Sequence, residues 1–418
     1  MSENTKKLLS VVDDMLGLLG ENVTNDNESE QMDNKDDDNN EEFHVDPWSI
    51  EGKVDYDKLI KQFGCQKVTP KMLVKYQQLT GVRPHAMIRR GLYYAHRDFD
   101  KILNLYEQGK KFYLYTGRGP SSGSMHLGHM VPFLINKHIQ DAFNVPMVIQ
   151  ITDDEKFFWK NMSLKDAHYY ARENAKDIIA MGFDITKTFI FIDTDYIQYL
   201  YPNVCKVQEK TTYNFLRSLF GFNDDGINVG KISYPAIQVV PAFPTTFPIP
   251  LKGNKDIHCL IPCAIDQDPY FKMTRDVAPK LGENKCSTLY SKFICGLGGP
   301  KGKMSSSIPN SVIFLDDKPD VIRNKIMKHA FSGGQDTLEL HRKLGANLEI
   351  DVAYQYLTFF MDDDDELNRI GQLYKQGKLL TKDVKKKLCD VLIPIIETFQ
   401  KNRKLVTDDV LDSFMKVR

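Results

Sequence analysis

The sequence predicts an α/β fold in which a parallel sheet with helices on its faces is followed by an all-helical domain. Short apolar runs of strand length alternate with helical segments between Phe112 and Leu315. A glycine-rich turn joins the first of these strands to a helix. Beyond Asp316 only helical periodicity remains. A chain of 418 residues fits two such domains plus a tail.

The first 44 residues predict a tail. Leu8–Leu19 is a short amphipathic helix candidate, and Glu21–Glu42 contains ten acidic residues, one lysine and almost no apolar residue. Such a stretch cannot offset the entropy of ordering, so we expect disorder. Its charge of −9, set against −1 for the whole chain, leaves about +8 on the remainder. The remainder is therefore compatible with a nucleic-acid partner.

Residues 45–110 predict an ordered extension and a helical layer in front of the sheet. Composition changes sharply at Val45–Trp48, where the ordered body begins. From Tyr56 to Gly109, apolar helical segments alternate with basic residues, and each is closed by turn residues.

The segment from Phe112 to Gln140 predicts a strand, a turn and a helix that together form a phosphate site. Phe112–Tyr115 is a buried-strand pattern, and the glycines and serines that follow end it. Apolar residues recur at helical spacing from His126 onward, with Pro132 expected near the helix start. A helix amino end favours a nucleotide phosphate, although neither G-x-x-x-x-G-K-[ST] nor a complete G-x-G-x-x-G is present.

The rest of the sheet and its helices follow from the same alternation of patterns. The predicted strands are Val145–Ile151, Thr188–Ile192, His258–Ile265 and Ser311–Leu315. The predicted helices between them are Leu164–Met181 and Asn203–Phe222. This β-α-β order indicates parallel strands, whose ligands bind at the carboxyl edge.

Composition predicts a cytosolic protein. The sequence has no run of eighteen apolar residues and no basic region followed by an apolar one at its amino end, so we expect neither a membrane span nor a secretory signal. Seven scattered cysteines indicate reduced thiols. His258, Cys259 and Cys263 share a strand that alternates faces, so buried thiols are expected there and no metal site is predicted.

Two motifs suggest a family. His126-Leu-Gly-His129 at the helix start and the lysine-bearing glycine loop Gly298–Ser307 resemble the HIGH and KMSKS motifs of class I aminoacyl-tRNA synthetases. YTGRGPSS, IQITDDEKFFWK, SYPAIQ, CAIDQDPYFKMTRDVAP and KHAFSGG extend the resemblance to the cytosolic eukaryotic tryptophanyl type, from about Val45 to the carboxyl end. The resemblance implies a Rossmann-like catalytic domain at 111–315, an anticodon-binding helical domain at 316–418, a pocket-covering extension and a homodimer.

The resemblance also implies an activity. Tryptophan would be activated with ATP, supplied with Mg²⁺ and without a tightly bound cofactor, and then transferred to its tRNA. The catalytic residues implied are His126, His129 and Lys303. The ATP contacts implied are Arg118, Gly119, His126, Gly128, His129, Lys303, Met304 and Ser305. Ser306 replaces the second lysine of KMSKS, and Lys301, Lys156 or Arg118 could supply that charge.

Two further sets of contacts are carried over. The tryptophan pocket implied comprises Tyr115, Gln150, Thr152, Glu155, Gln238 and Gln267, in which tyrosine and glutamine can accept from an indole N–H. Candidates for holding tRNA phosphates are Lys385, Lys386, Lys387, Lys401, Arg403 and Lys404, with Tyr374 as a candidate for a base.

Three alternatives remain open from sequence. A tyrosyl-tRNA synthetase shares this subclass, and amino-acid-dependent pyrophosphate exchange would separate the two. An H-x-G-H nucleotidyltransferase would not need the lysine loop or the basic helices. A noncatalytic binding protein descended from a synthetase would bind tRNA without forming an adenylate.

Overall fold

The computed structural model describes residues 44–45, 50–51, 55–222, 226–299, 304 and 310–417. The predicted tail helix and acidic stretch, Trp48 and most of the second glycine loop lie outside the described residues. At the amino-terminal end, β1 (His44–Val45) and β2 (Ile50–Glu51) pair antiparallel.

The other described strands form a seven-stranded sheet in the order β3-β4-β9-β8-β5-β6-β7. The five strands from β9 to β7 are parallel, which confirms the predicted sheet, and β3 and β4 join antiparallel at one edge. The strands are β3 (Gln66–Lys67), β4 (Tyr93–Arg97), β5 (Phe112–Arg118), β6 (Met147–Ile151), β7 (Thr188–Ile192), β8 (His258–Ala264) and β9 (Ser287–Ser291).

Helices cover the sheet and form the carboxyl-terminal region. Those up to β9 are α1 (Tyr56–Phe63), α2 (Pro70–Thr80), α3 (Ala86–Arg89), α4 (Phe99–Glu107), α5 (Leu127–Phe143), α6 (Asp153–Trp159), α7 (Leu164–Ala180), α8 (Asp193–Glu209), α9 (Tyr213–Phe220), α10 (Val229–Val239) and α11 (Asp268–Val277). Those after it are α12 (Pro319–His329), α13 (Leu338–Leu344), α14 (Val352–Phe360), α15 (Asp364–Lys375), α16 (Thr381–Leu405) and α17 (Asp408–Met415). Short 3₁₀ turns follow α10, β8 and α11.

Two hydrophobic cores lie on opposite faces of the sheet. Along β5, Phe112 and Leu114 enter one core while Tyr113 and Tyr115 enter the other, as strand alternation requires. The core that contains Leu114 continues into the carboxyl-terminal helices. No described helix is both long enough and apolar enough to cross a membrane.

Part of the predicted helical layer is a strand. Gly91 adopts φ +65° and ends the short helix α3, after which β4 pairs antiparallel with β9 and lies buried. Within β4, Tyr93 and Tyr94 are aromatic residues of the kind enriched in strands, and the prediction of a helix for this segment was wrong. Strand β9 was not predicted, because STLYS is short and half polar.

Three further predictions need correction. Asn203–Phe222 is two helices, and Thr212 caps the second by accepting from Phe215 N at 3.3 Å. Ser311–Leu315 is not a strand, although its Phe314 forms one bridge with His126. Pro132 lies inside α5 rather than near its start, so the Gly128 carbonyl lacks its usual helical donor.

Candidate active site

The site begins where β5 turns into α5. His126 occupies the N-cap position of α5, and its ring stacks on that of His129 with centroids 3.5 Å apart. His129 Nδ1 accepts from His126 N at 3.4 Å. Burial, and then the charge of Arg118, lower the pKa of His126 to about 3. His126 is therefore neutral at pH 7 and carries one ring N–H.

The glycine between the histidines allows the two motifs to meet. A Cβ on Gly128 would lie 3.1 Å from His126 Cε1 and 3.3 Å from Ile294 Cγ2. Gly128 N donates to the sulfur of Met304, 176 residues away, at 3.4 Å. Met304 N in turn donates to Ile294 O at 3.0 Å. The methionine of the second motif thus touches the glycine of the first.

The segment after the second motif pairs with the turn before α5. Leu127 N donates to Ile313 O at 3.1 Å, and Leu315 N donates to Met125 O at 2.8 Å. These backbone bonds are the antiparallel contact that replaces the predicted late strand. They hold the two motif regions together at the carboxyl edge of the sheet.

Arg118, at the end of β5, is a partly buried cation that lines the cavity. Its Nε donates to Asn174 Oδ1 at 3.1 Å, whereas its buried Nη2 has no hydrogen-bond partner. Asn174 also donates to Ser122 O at 2.7 Å and so fixes the turn. Burial lowers the pKa of Arg118 to about 10, so the guanidinium remains charged at pH 7. A cation with a buried, unpartnered donor suits a phosphate oxygen.

An acidic and amide cluster faces the same cavity. Thr152 Oγ1 donates to Glu155 Oε2 at 3.2 Å, and Lys156 Nζ lies 2.6 Å from the same oxygen. Gly119 packs directly against Glu155 and Lys156, so closely that any Cβ there would collide with both. Gln238 Oε1 accepts from Tyr234 OH, which leaves its amide N–H₂ as the group to offer a ligand.

The cavity encloses about 320 Å³. The predicted residues that line it are Arg118, Gly119, His126, Gly128, His129, Thr152, Glu155, Lys156, Gln238, Gln267 and Met304. Tyr115 and Gln150 were also predicted to line it but lie behind the wall, fully buried. Tyr115 OH donates toward Gln150 Oε1 at 2.5 Å and toward Gln238 O at 2.8 Å.

Several residues that line this cavity were not predicted from the sequence. Phe133, Tyr234, Tyr270, Phe271 and Lys292 all line it. Three of them lie inside SYPAIQ and CAIDQDPYFKMTRDVAP, in which only the glutamines were predicted to bind a ligand. Lys292 follows β9, an unpredicted strand, and burial lowers the pKa of its ammonium group. In the described part of the chain, no three His, Cys, Asp or Glu side chains are grouped to hold a metal ion.

Some predicted residues cannot be placed, and others have different partners. Lys301, Lys303 and Ser305 lie outside the described residues. Lys385 is buried and donates to Met327 O at 3.1 Å, which does not favour its assignment to tRNA.

Arg403 also has partners within the protein. Arg403 Nε donates to Asp177 at 2.7 Å and Nη2 to Glu173 at 2.6 Å, so its guanidinium is already paired. Tyr374 is fully buried and cannot meet a base. Lys387 lies 3.3 Å from Glu366. The predicted cations that remain exposed are Lys386, Lys401 and Lys404.

Comparison with known proteins agrees with this site. A family model described as class I tRNA synthetases (W and Y) matches residues 107–397. The cytoplasmic tryptophan–tRNA ligase of Arabidopsis thaliana is 52% identical over 379 residues, covering 90% of this chain and 94% of the relative. The human cytoplasmic tryptophan–tRNA ligase is 52% identical over 385 residues, covering 90% of this chain and 82% of the relative.

Solved structures agree as well. The Plasmodium falciparum tryptophanyl-tRNA synthetase matches with a TM-score of 0.81 and 46% identity, covering 87% of this chain and 95% of that one. The Giardia lamblia tryptophanyl-tRNA synthetase matches with a TM-score of 0.82 and 44% identity, covering 86% and 95%. The predicted resemblance and Rossmann-like fold are confirmed, and the chain belongs to the class I aminoacyl-tRNA synthetases, in their tryptophanyl branch.

Proposed function

We propose that this chain is a cytoplasmic tryptophan–tRNA ligase, which activates L-tryptophan with ATP and transfers it to its tRNA. The observation that carries the proposal is a single cavity that joins the histidine helix start and Arg118 to the cluster around Glu155. One part of it suits phosphates and the other suits an amino acid. The relatives named above are cytoplasmic tryptophan–tRNA ligases.

In the first step a carboxylate oxygen of tryptophan attacks the α-phosphorus of ATP. A carboxylate–phosphorus bond forms, the bond to the bridging oxygen breaks, and pyrophosphate leaves with the electron pair. Negative charge grows on the phosphate oxygens, and the ring N–H groups of His126 and His129 meet it as preorganised donors. Because His126 is neutral, it donates without carrying a charge.

Cations complete the phosphate part of the site. The unpartnered Nη2 of Arg118 and, from the second motif, Lys303 are assigned to phosphate oxygens. The backbone of Gly119 and the contact of Met304 with Gly128 shape the nucleotide position, and Ser305 is assigned to the nucleotide. ATP enters as its Mg²⁺ complex, and no resident cofactor is proposed.

The amino acid is assigned to the cluster around Glu155. Glu155 bonds the ammonium group with help from Thr152, while the amides of Gln238 and Gln267 hold the carboxylate. Tyr115 and Gln150, directly behind Gly117 and Gln238, are assigned to the indole N–H. Reaching them requires the wall between them and the cavity to open when tryptophan binds.

In the second step a hydroxyl of the terminal tRNA ribose attacks the adenylate carbonyl, and AMP leaves. We assign anticodon recognition to residues 316–418 and phosphate contacts to Lys386, Lys401 and Lys404, which lie exposed on α16.

A homodimer is proposed. The helices α8 to α10 expose several aromatic and apolar side chains, which suit a subunit interface. These side chains are Tyr199, Tyr201, Tyr213 and Val229.

The test is pyrophosphate exchange into ATP with each of the twenty amino acids. Tryptophan alone should stimulate exchange, and His126→Ala should abolish most of that stimulation. Stimulation by tyrosine instead would establish the tyrosyl alternative. Binding of tRNA without any exchange would contradict the proposed activity altogether.

A further inference from the structure

The structure places a carboxylate behind the residues assigned to the indole. Asp193 is the first residue of α8, directly after β7, and is fully buried. Its Oδ1 accepts from Gln150 Nε2 at 2.8 Å. The amide oxygen of Gln150, Oε1, lies 2.5 Å from Tyr115 OH. A chain of hydrogen bonds therefore runs from Asp193 through Gln150 to Tyr115.

We propose that Asp193 is a positioning residue that fixes the amide of Gln150, so that an acceptor oxygen and not a donor N–H₂ is turned toward Tyr115 and the indole N–H. The proposal rests on the assignment of tryptophan as substrate. It makes Asp193 a determinant of amino-acid specificity although Asp193 does not line the cavity.

The orientation of Gln150 follows from its neighbours. Its amide nitrogen has two acceptors, Asp193 Oδ1 and, at 3.4 Å, the carbonyl of Ile237 near the end of α10. That carbonyl lacks its usual helical donor because the residue four positions later, Pro241, has no N–H. A flipped amide would place its oxygen against both acceptors, so this arrangement admits one orientation.

The hydroxyl of Tyr115 is oriented by the same neighbours. It has one proton and two acceptors, Gln150 Oε1 and the carbonyl of Gln238 at 2.8 Å. Because that proton is directed to an acceptor of the protein, the hydroxyl presents a lone pair to a ligand. An indole N–H is a donor without a lone pair of its own, and it matches a site that offers acceptors only.

The surroundings of Asp193 determine which substitution should be tolerated. Burial, and then the neighbouring carboxylate of Asp154, raise the pKa of Asp193 well above its ordinary value. Asp153 adds to the same effect. With a proton on Oδ2, a neutral carboxyl still offers Oδ1 to Gln150 as an acceptor, as the ionised carboxylate does. Asparagine at position 193 can present an amide oxygen in the same place, whereas alanine cannot.

The test measures selectivity for the indole N–H. Pyrophosphate exchange is run with tryptophan and with β-(3-benzothienyl)alanine, in which sulfur replaces the N–H. Asp193→Ala should reduce the kcat/KM ratio of tryptophan to the analogue by about tenfold, the effect of losing one net hydrogen bond. Asp193→Asn should keep the ratio within about twofold of the parent. Asp195→Ala is the matched control, because Asp195 lies in the first turn of the same helix but pairs with His168.

A double-mutant cycle keeps the test decisive if alanine impairs folding. In Gln150→Met, which cannot orient an amide, adding Asp193→Asn or Asp193→Ala should change the ratio no further. An unchanged ratio in Asp193→Ala, or the same further loss in the methionine background, would overturn the proposal. Failure of the parent enzyme to use tryptophan would instead overturn the proposed function, so the two failures are distinguishable.

Discussion

Arg403→Ala tests whether this side chain supports the catalytic turn or binds tRNA. Arg403 lies near the end of α16, and its guanidinium bonds Asp177 at 2.7 Å and Glu173 at 2.6 Å, both on α7. The second oxygen of Asp177 accepts from Met125 N at 3.4 Å, and Met125 directly precedes His126. Removing the guanidinium leaves Asp177, which is 6% exposed, without its cation.

The expected loss of stability depends on pH. Losing two charge-assisted bonds and leaving a buried carboxylate unpaired lowers the free energy of unfolding by ~3 kcal/mol. Burial raises the pKa of Asp177 to about 6 even though Arg403 opposes the shift, so the variant's pKa is higher still. When folding raises the pKa of a carboxyl group, the free energy of unfolding of the protein falls as the pH rises through that raised pKa. The loss of stability of the variant relative to the parent should therefore be larger at about pH 8 than at about pH 5.

Charged side chains face Asp177 from more than one element. Arg403 faces it from α16, Glu173 lies one turn earlier on α7, and Arg118 lies across the turn.

The measurement is urea-induced unfolding at both pH values. Arg403→Lys, which keeps a cation, should restore much of the stability, and Lys382→Ala, exposed on the same helix, is the control.

Activity decides between the two roles. If Arg403 supports the turn before His126, Arg403→Ala should slow pyrophosphate exchange by roughly tenfold, because displacement of reacting groups lowers the rate without tRNA. If the variant keeps its stability and its exchange rate but loses tRNA charging, Arg403 contacts tRNA, and the assignment to the turn is refuted.

Three further outcomes are expected. His126→Ala should slow single-turnover adenylate formation by ~10²–10³, since it removes one donor to the developing charge, while tryptophan binding measured by calorimetry stays unchanged; an unchanged single-turnover rate would contradict its catalytic role. Gly119→Ala should raise the KM for tryptophan about tenfold, because its Cβ displaces the carboxylate of Glu155, and should also raise the KM for ATP, because Gly119 is assigned to the nucleotide; an unchanged KM for tryptophan would contradict the assignment of Glu155 to the ammonium group. Replacing the exposed lysines Lys386, Lys401 and Lys404 together with alanine should weaken tRNA charging and reduce the slope of its salt dependence by about one unit per lost phosphate contact, without affecting pyrophosphate exchange. A parallel fall in exchange would show that these lysines support the fold instead.

The elements that could be predicted are those with strong local patterns. The strand, turn and helix around His126 were predicted because apolar periodicity and glycine punctuation are both local signals. The strands at Val148 and Ile190 were predicted for the same reason. Strand β9 depends on pairing with β4 and β8, and a five-residue polar and aromatic segment does not reveal such partners.

Side-chain roles were predicted less evenly. Residues that line the cavity were identified where they belong to a motif, as with Gly128 and Glu155. The partners of Lys385 and Arg403 could not be predicted, because a cation on an amphipathic helix has the same pattern whether it faces solvent or a carboxylate of another helix. Asp177, the partner of Arg403, lies 226 residues earlier in the chain.

The carboxyl-terminal region, to which we assign tRNA binding, also holds the turn before His126 in place. On α16, Gln400 Nε2 donates to the carbonyls of Leu315 and Asp317, both at 2.9 Å, and so holds the segment that pairs with the turn. Arg403, one turn later, holds the other side of the same pairing through Asp177. The exposed Lys401 and Lys404 lie between and beside these two residues on the same helix. The lysines assigned to tRNA and the residues that hold the backbone pairing of the two motif regions therefore share one helix.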